Sequence, residues 1–343
     1  MLVSGAQSPT SPGATPSGAA ARIDPLDWTK GALVVCMVVY HAVNYSAFRP
    51  LAFRYMPFLP PSFVLIAGFV VGAVYTARYD LRTWSPYARL LVRGGKLFLL
   101  FALLNLGSCI ALERSLVDGS FEFVDRSAMI FLSGNGREGI FEVLLPIAYF
   151  LLLVPALLWL RTRAAAAIPI CALAIFGLCF VMERFGWSSK NLMMLSAGIL
   201  GLALGSIPLE AVNRFAGKWL WVLLVYLLYL LGSWFLGDTY PVQMFSAVAS
   251  VLLLYACALR LDMSAWAGRQ LVLFGQYSLL AYLAQIALIR AIVPLVGGKP
   301  QHWAGVIVVG TSTAIILFCL IHLVNSLRRR NRPMNILYQS IFA

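Results

Sequence analysis

The sequence predicts an all-α protein, a polytopic integral membrane helical bundle of about ten transmembrane helices with both N- and C-termini cytoplasmic. Three observations lead there. The 343 residues are 61% hydrophobic and 11% charged, whereas soluble domains carry roughly 25% charged residues. Apolar stretches near the ~20 residues that cross a bilayer recur along the whole chain. The basic residues are divided unequally between the connections, as the positive-inside rule requires of a threaded membrane protein.

The expected spans lie at 30–47, 58–77, 95–112, 139–160, 165–182, 191–208, 218–236, 242–259, 271–294 and 303–325. With the N-terminus inside, 17 of the 26 Lys+Arg fall on the inner side and 9 on the outer. The net charge of +13 would point to nucleic acid in a soluble chain. Here the cations punctuate apolar runs, so they are read as topology determinants and contacts for membrane lipids, with no nucleic-acid partner. Residues 1–21 are expected to form a disordered cytoplasmic tail, 22–327 the membrane domain and 328–343 a basic cytoplasmic tail. Six cysteines lie in apolar stretches without a CxxC pair, which argues for packing roles and against a metal site. In the longest outer connection, residues 128–133 are expected in the interface or dipping into the protein.

The first span carries His41 after a run of apolar residues. An ionisable group there is costly and marks a functional-site hypothesis, and imidazole exchanges protons near neutral pH. A structural ring bonded to a neighbouring helix backbone is the competing use. His41 lies eleven residues beyond Lys30, ~16 Å along a helix and near the middle of a ~30 Å hydrocarbon core. Asp27 is ~21 Å away along the same axis, so it cannot orient the imidazole and is expected to pair with Lys30 at i,i+3. Tyr40, Asn44 and Tyr45 make this end of the helix polar, suited to a substrate hydroxyl or to a helix–helix network.

The second span opens at Pro57, Pro60, Pro61 and Ser62, where prolines free backbone groups to line a cavity. Its Ala67, Gly68 and Gly72 favour close helix approach. Arg89, Arg93 and Lys96 follow at helical spacing and place cations on one face, suited to phosphates or to simple anchoring. Glu142 is the leading intramembrane carboxylate, able to orient or recharge His41 or to pair with a cation; Glu138 lies one turn earlier. The ninth span concentrates Gln276, Tyr277, Ser278, Tyr282 and Gln285. His302 is expected in solvent and His322 at the headgroup level.

Arg22, Asp27, Lys30, Gly31 and His41 together resemble the opening of the transmembrane acyltransferase superfamily. That group includes acyltransferase family 3, the glucan succinyltransferases and the heparan-α-glucosaminide acetyltransferase-like proteins. Pro61–Gly68, Arg93–Leu99 and Gly275–Tyr282 are similar to further segments of it, in order. Lys30 stands where Arg is usual, and Gln285 where many relatives place a His. The resemblance implies transfer of an acyl group, acetyl or another short acyl, from cytoplasmic acyl-CoA to a hydroxyl or amine of a glycan or other envelope acceptor. His41 would be the base, with Glu142 as its acid partner. Arg89, Arg93 and Lys96 would hold the CoA phosphates, and Tyr40, Asn44, Tyr45, Ser62 and Tyr282 would line the substrate site. Arg22, Asp27 and Lys30 would be structural, no metal would be needed, and the location would be a bacterial inner membrane. Two other readings compete: a proton-coupled transporter or exporter using His41 and Glu142 as a relay, and a non-catalytic scaffold.

Overall fold

The computed structural model describes residues 23–111, 127–134, 141–237 and 239–342, and every regular element within them is a helix. Among these residues nine helices are long and apolar enough to cross a membrane, or ten when one sharply bent pair counts as a single span. The chain is therefore an integral membrane helical bundle, the architecture its composition predicts.

Helix α1 (Asp24–Asn44) starts with Pro25 in its first turn and Asp24 and Asp27 at the positive end of its dipole. It runs unbroken to Asn44. There the Ser46 hydroxyl donates to the Val43 carbonyl, and the Ala47 amide donates to Pro300 O at 2.9 Å. A short α2 (Arg49–Tyr55) leads to α3 (Leu59–Arg78), whose first turn holds Pro60 and Pro61. After α4 (Ser85–Ala111) comes the one-and-a-half-turn α5 (Ser127–Leu132), then α6 (Leu144–Arg163) and α7 (Ala167–Arg184).

Helix α8 (Lys190–Gly205) bends by 98° into α9 (Leu209–Gly217). Pro208 lacks an amide to continue the ladder, and Arg161 reaches the Ser206 hydroxyl at 3.0 Å. The expected span 191–208 thus coincides with α8, and the chain continues beyond it into a crosswise amphipathic helix. Two long helices follow, α10 (Trp219–Leu236) and α11 (Tyr240–Ala258). The expected span 271–294 is also divided. Helix α12 (Trp266–Gln276) ends at Tyr277, and α13 (Ser278–Leu295) is the apolar, membrane-length part.

The last span, α14 (Trp303–Arg330), carries three arginines of the expected tail, and α15 (Arg332–Phe342) completes the described chain. Arg328 holds this end together. Its guanidinium donates to the Tyr277 hydroxyl at 3.0 Å and to Asn335 Oδ1 at 2.9 Å, while lying 3.8 Å over the Tyr338 ring. His322 meets Gln270 of α12 at 2.7 Å instead of standing free at the headgroups.

Two helix crossings are so close that only glycine fits. In the first, a Cβ on Gly31 of α1 would overlap the Leu271 carbonyl, and one on Gly275 of α12 the Asp27 carbonyl. In the second, Gly68 and Gly72 of α3 lie against Gly198, Leu202 and Gly205 of α8, and Gly201 against Leu65 O. These are the small-residue contacts by which helices associate where lipid removes the hydrophobic drive. Helix α5 is tucked inward: Ile130 is buried, and Phe131 meets Phe98 at 5.3 Å between ring centroids. Asn191 donates to the Ile130 and Phe131 carbonyls at 3.0 Å, which satisfies the end of α5.

Because Gly201 faces backbone, Gly201→Leu is expected to cost about 3 kcal/mol. Gly95 of α4 has no heavy atom within 4 Å of a built Cβ, so Gly95→Ala is expected to be neutral or stabilising by up to about 1 kcal/mol. Thermal unfolding of the detergent-purified variants checks the pair, and equal losses would contradict the backbone contact.

Candidate functional site

The site is built where α1, α3 and α13 converge with the chain leading into α6. Its start is the Asp27–Lys30 ion pair at the beginning of α1, as the i,i+3 spacing predicts. Lys30 also lines a cavity of about 180 Å³ with Arg93, Ser278 and Tyr282, walled by apolar side chains that include Phe63 and Leu97. The lining carries two cations, Lys30 and Arg93, and the Tyr282 ring, which is 7% exposed.

Of the three cations expected around phosphates, Arg93 faces this cavity. Arg89 donates to the Tyr79 hydroxyl at 3.2 Å and lies over its ring, and Lys96 is not among the lining residues. The second cation in the lining is therefore Lys30. Arg22, and likewise Arg137 and Glu138, lie outside the described residues.

A second cavity, of about 390 Å³, is more polar. It is lined by Tyr40, Pro57, Pro60 and Pro61 together with Glu142, Glu183, Trp187, Lys190 and Gln243. Phe141 leads into it with φ 64°, a left-handed conformation unusual for an aromatic residue, and its ring packs at 6.2 Å from Tyr282. That turn carries the Glu142 carboxylate toward Lys190, 3.8 Å away. Burial raises the Glu142 carboxyl above the ordinary carboxylate range, and the Lys190 ammonium pulls it back down. Glu183 is held structurally, accepting the Tyr240 amide at 2.8 Å at the start of α11.

Between the two cavities stand Tyr40 and Tyr282, one lining each, and next to Tyr40 along α1 stands His41. The imidazole makes an edge contact with the Tyr40 ring at 5.2 Å and lies 6.5 Å from the Tyr45 ring. Both ring nitrogens are shielded from solvent and have no hydrogen-bond partner among the described residues, and the same holds for Asn44 Oδ1. The expected His41–Glu142 dyad is therefore corrected: Glu142 pairs with Lys190, and among the described residues no carboxylate is bonded to the imidazole. Ser62 is corrected too. It is fully buried and donates to Phe58 O at 2.6 Å, satisfying its own helix instead of a substrate.

Arg290 was not anticipated. It lies inside α13, donates through Nε to the Tyr45 hydroxyl at 2.9 Å, and its charge reaches the His41 ring. Gln285, one and a half turns earlier, is fully buried with both amide atoms unpaired. The signal for Arg290 was available, since it is an ionisable side chain within an apolar run. Among the described residues no group of three or more metal-ligating side chains occurs.

Fold and site together define an integral membrane protein with a solvent-shielded histidine beside Tyr40, and with a cationic cavity and a more polar one close by. Comparison with protein-family models, with characterised proteins and with solved structures gives no match to this chain.

The Glu142–Lys190 pairing has a testable consequence. Replacing Lys190 by Met removes the group that lowers the Glu142 pKa, so the carboxyl is expected to titrate higher still. A folded-state pKa above the unfolded one adds stability that is fully present below the unfolded pKa and is lost as pH rises through the folded one. The variant's loss is thus expected to persist to higher pH. Infrared spectroscopy of the protonated carboxyl band, assigned by its disappearance in Glu142→Gln, checks the shift; an unmoved titration would rule out the pairing.

Proposed function

We propose that this protein is an acyl-CoA-dependent membrane acyltransferase, acting on a hydroxyl of a glycan or other envelope acceptor, with His41 as general base. The observation that supports the reading is the pair of cavities of different chemistry, one lined by Tyr282 and the other by Tyr40, whose ring touches the His41 imidazole. One has a phosphate-binding mouth of Lys30 and Arg93. The other offers carboxylate, amide and indole groups suited to a polyhydroxylated molecule.

In this reading the end of the bundle bearing Lys30 and Arg93 faces the cytoplasm, in agreement with the positive-inside count, and the membrane is a bacterial inner membrane. The CoA phosphates rest on Lys30 and Arg93. The pantetheine arm follows the apolar walls, bringing the thioester to the tyrosine pair. The acceptor enters from the Glu142 side, and its hydroxyl gives its proton to an imidazole nitrogen as its oxygen attacks the thioester carbon. The carbon–oxygen bond forms, the carbon–sulfur bond breaks, and the imidazolium returns the proton to the departing thiolate. The products are the acyl ester and free CoA. Acetyl or another short acyl group fits the limited cavity volume.

The resemblance of Arg22, Asp27, Lys30, Gly31 and His41 to the transmembrane acyltransferases supports the same conclusion, with Lys30 assigned to the phosphates in place of Arg89. A proton relay through His41 and Glu142, as a transporter would use, has weaker support because Glu142 is paired with Lys190.

Purified protein with acetyl-CoA and a panel of sugar acceptors is expected to release free CoA, and His41→Gln to lower the rate by about 10²- to 10⁴-fold. Full turnover in that variant would refute the base. Arg93→Ala is expected to weaken acyl-CoA binding about tenfold, as befits one charge-assisted contact. Unchanged affinity would remove the phosphate clamp.

A further inference from the structure

Arg290 is the least explained charge in the bundle. Among the described residues it forms no ion pair, and its one hydrogen bond is from Nε to the Tyr45 hydroxyl at 2.9 Å. The Nη side of its fork is uncommitted. Among the described residues, the nearby carboxylate Glu142 is paired with Lys190. Unpaired arginine is costly within a membrane-spanning segment and is normally met by a carboxylate, a backbone carbonyl or a ligand.

The second observation is independent of the first. Buried polar side chains are nearly always hydrogen-bonded, so each exception calls for an explanation. Apart from the Ser250 hydroxyl on α11, the exceptions lie on two packed helices, α1 and α13. His41 has both nitrogens unpaired, Asn44 its Oδ1, and Gln285 its Oε1 and Nε2. Gln285 is 0% exposed and lies on the face of α13 whose buried residues Ala281 and Ile289 pack into the clusters of α1. Along α13 it stands between Tyr282, which borders the cationic cavity, and Arg290, which holds Tyr45. Imidazole, amide and guanidinium groups thus lie on two helices joined by the Arg290–Tyr45 hydrogen bond, with donors to spare.

We propose that Arg290, with Gln285 and the Tyr45 hydroxyl beside His41, forms a binding site for a carboxylate on one of the two reactants. A planar fork matches a carboxylate in two parallel hydrogen bonds. A single uncompensated guanidinium is neutralised by a monoanion, whereas a phosphate would bring an excess of charge of about −0.5 to −1 into an apolar surround. The carboxylate has two possible sources of identical chemistry: the far end of a dicarboxylic acyl group, arriving from the Lys30–Arg93 side, or a uronic-type acid on the acceptor, arriving from the Glu142 side. The inference deepens the acyl-transfer reading by naming a charged reactant, but its primary test needs no turnover.

Thermal stabilisation of the purified wild-type protein is measured with succinate against dimethyl succinate, and with glucuronate against glucose. At least one carboxylate is expected to raise the melting temperature where its neutral counterpart does not, and Arg290→Gln is expected to abolish the difference. Arg290→Lys, which keeps the charge but not the fork, is expected to restore part of it. Equal effects of acids and neutral analogues on the wild-type protein would overturn the proposal, and this outcome does not require any variant to fold. The source is then read from donor affinities. Succinyl-CoA binding at least about tenfold tighter than acetyl-CoA in the wild type, and not in Arg290→Gln, assigns the carboxylate to the acyl group. A preference confined to glucuronate assigns it to the acceptor. Failure of both CoA esters to bind, with the carboxylate effect intact, would overturn acyl transfer and leave the anion site standing.

Discussion

Backbone-to-backbone contact at glycine is the constraint on which the rest of this molecule depends. In a bilayer, helices gain nothing by exchanging lipid for leucine, so association relies on close packing and on hydrogen bonds. Gly31 and Gly275 bring α1 and α12 together until side-chain atoms would collide with main-chain carbonyls, and Gly68, Gly72, Gly198, Gly201 and Gly205 do the same for α3 and α8. The first contact fixes the start of α1 and, through the break at Tyr277, the start of α13. The second fixes α3, whose Phe63 and Ala67 wall the cationic cavity. His41 and Tyr282 belong to α1 and α13, whose relative positions follow from the first crossing.

The loops at the other end of α1 complete the restraint. Ala47 is bonded to Pro300, and Phe48 stacks on Trp303 at 4.3 Å, so the end of α1 is tied to the start of α14. Tyr45 is held by Arg290. The polar segment Tyr40–Tyr45 is therefore clamped from both ends of its helix, which is the condition for holding an imidazole in a fixed position without a hydrogen bond to it.

How much of this was legible in the sequence varies with the physics involved. Span positions were legible because hydropathy over ~20 residues is a local property that the bilayer imposes directly. The Asp27–Lys30 pair was legible for the same reason, being set by helical periodicity alone. The end of the span near 208 was legible because Pro208 and the polar residues after it interrupt the apolar run, whereas the break at Tyr277 was not, because it involves a partner far along the chain, Arg328. His41 stood out in an otherwise apolar run. Arg290 obeys the same rule but was counted with the topology-setting cations near a helix end. Which cations surround the first cavity could not be read at all. Arg89 and Arg93 share a helical face, yet Tyr79 takes one and the cavity the other, while Lys30 enters from a different helix.

The unpaired groups around His41 also bear on how such a site works. Each buried donor or acceptor left without a partner costs about 1–3 kcal/mol relative to its bonded form. Glycine-mediated packing elsewhere in the bundle offsets that cost, which keeps the cluster in place. Dipoles fixed in this way need no reorganisation when charge develops beside them, and in a region of low dielectric they act more strongly than they would in water. A histidine without an orienting carboxylate is then a consequence of the design. Glu142 is instead held by Lys190 in the cavity that Tyr40 lines.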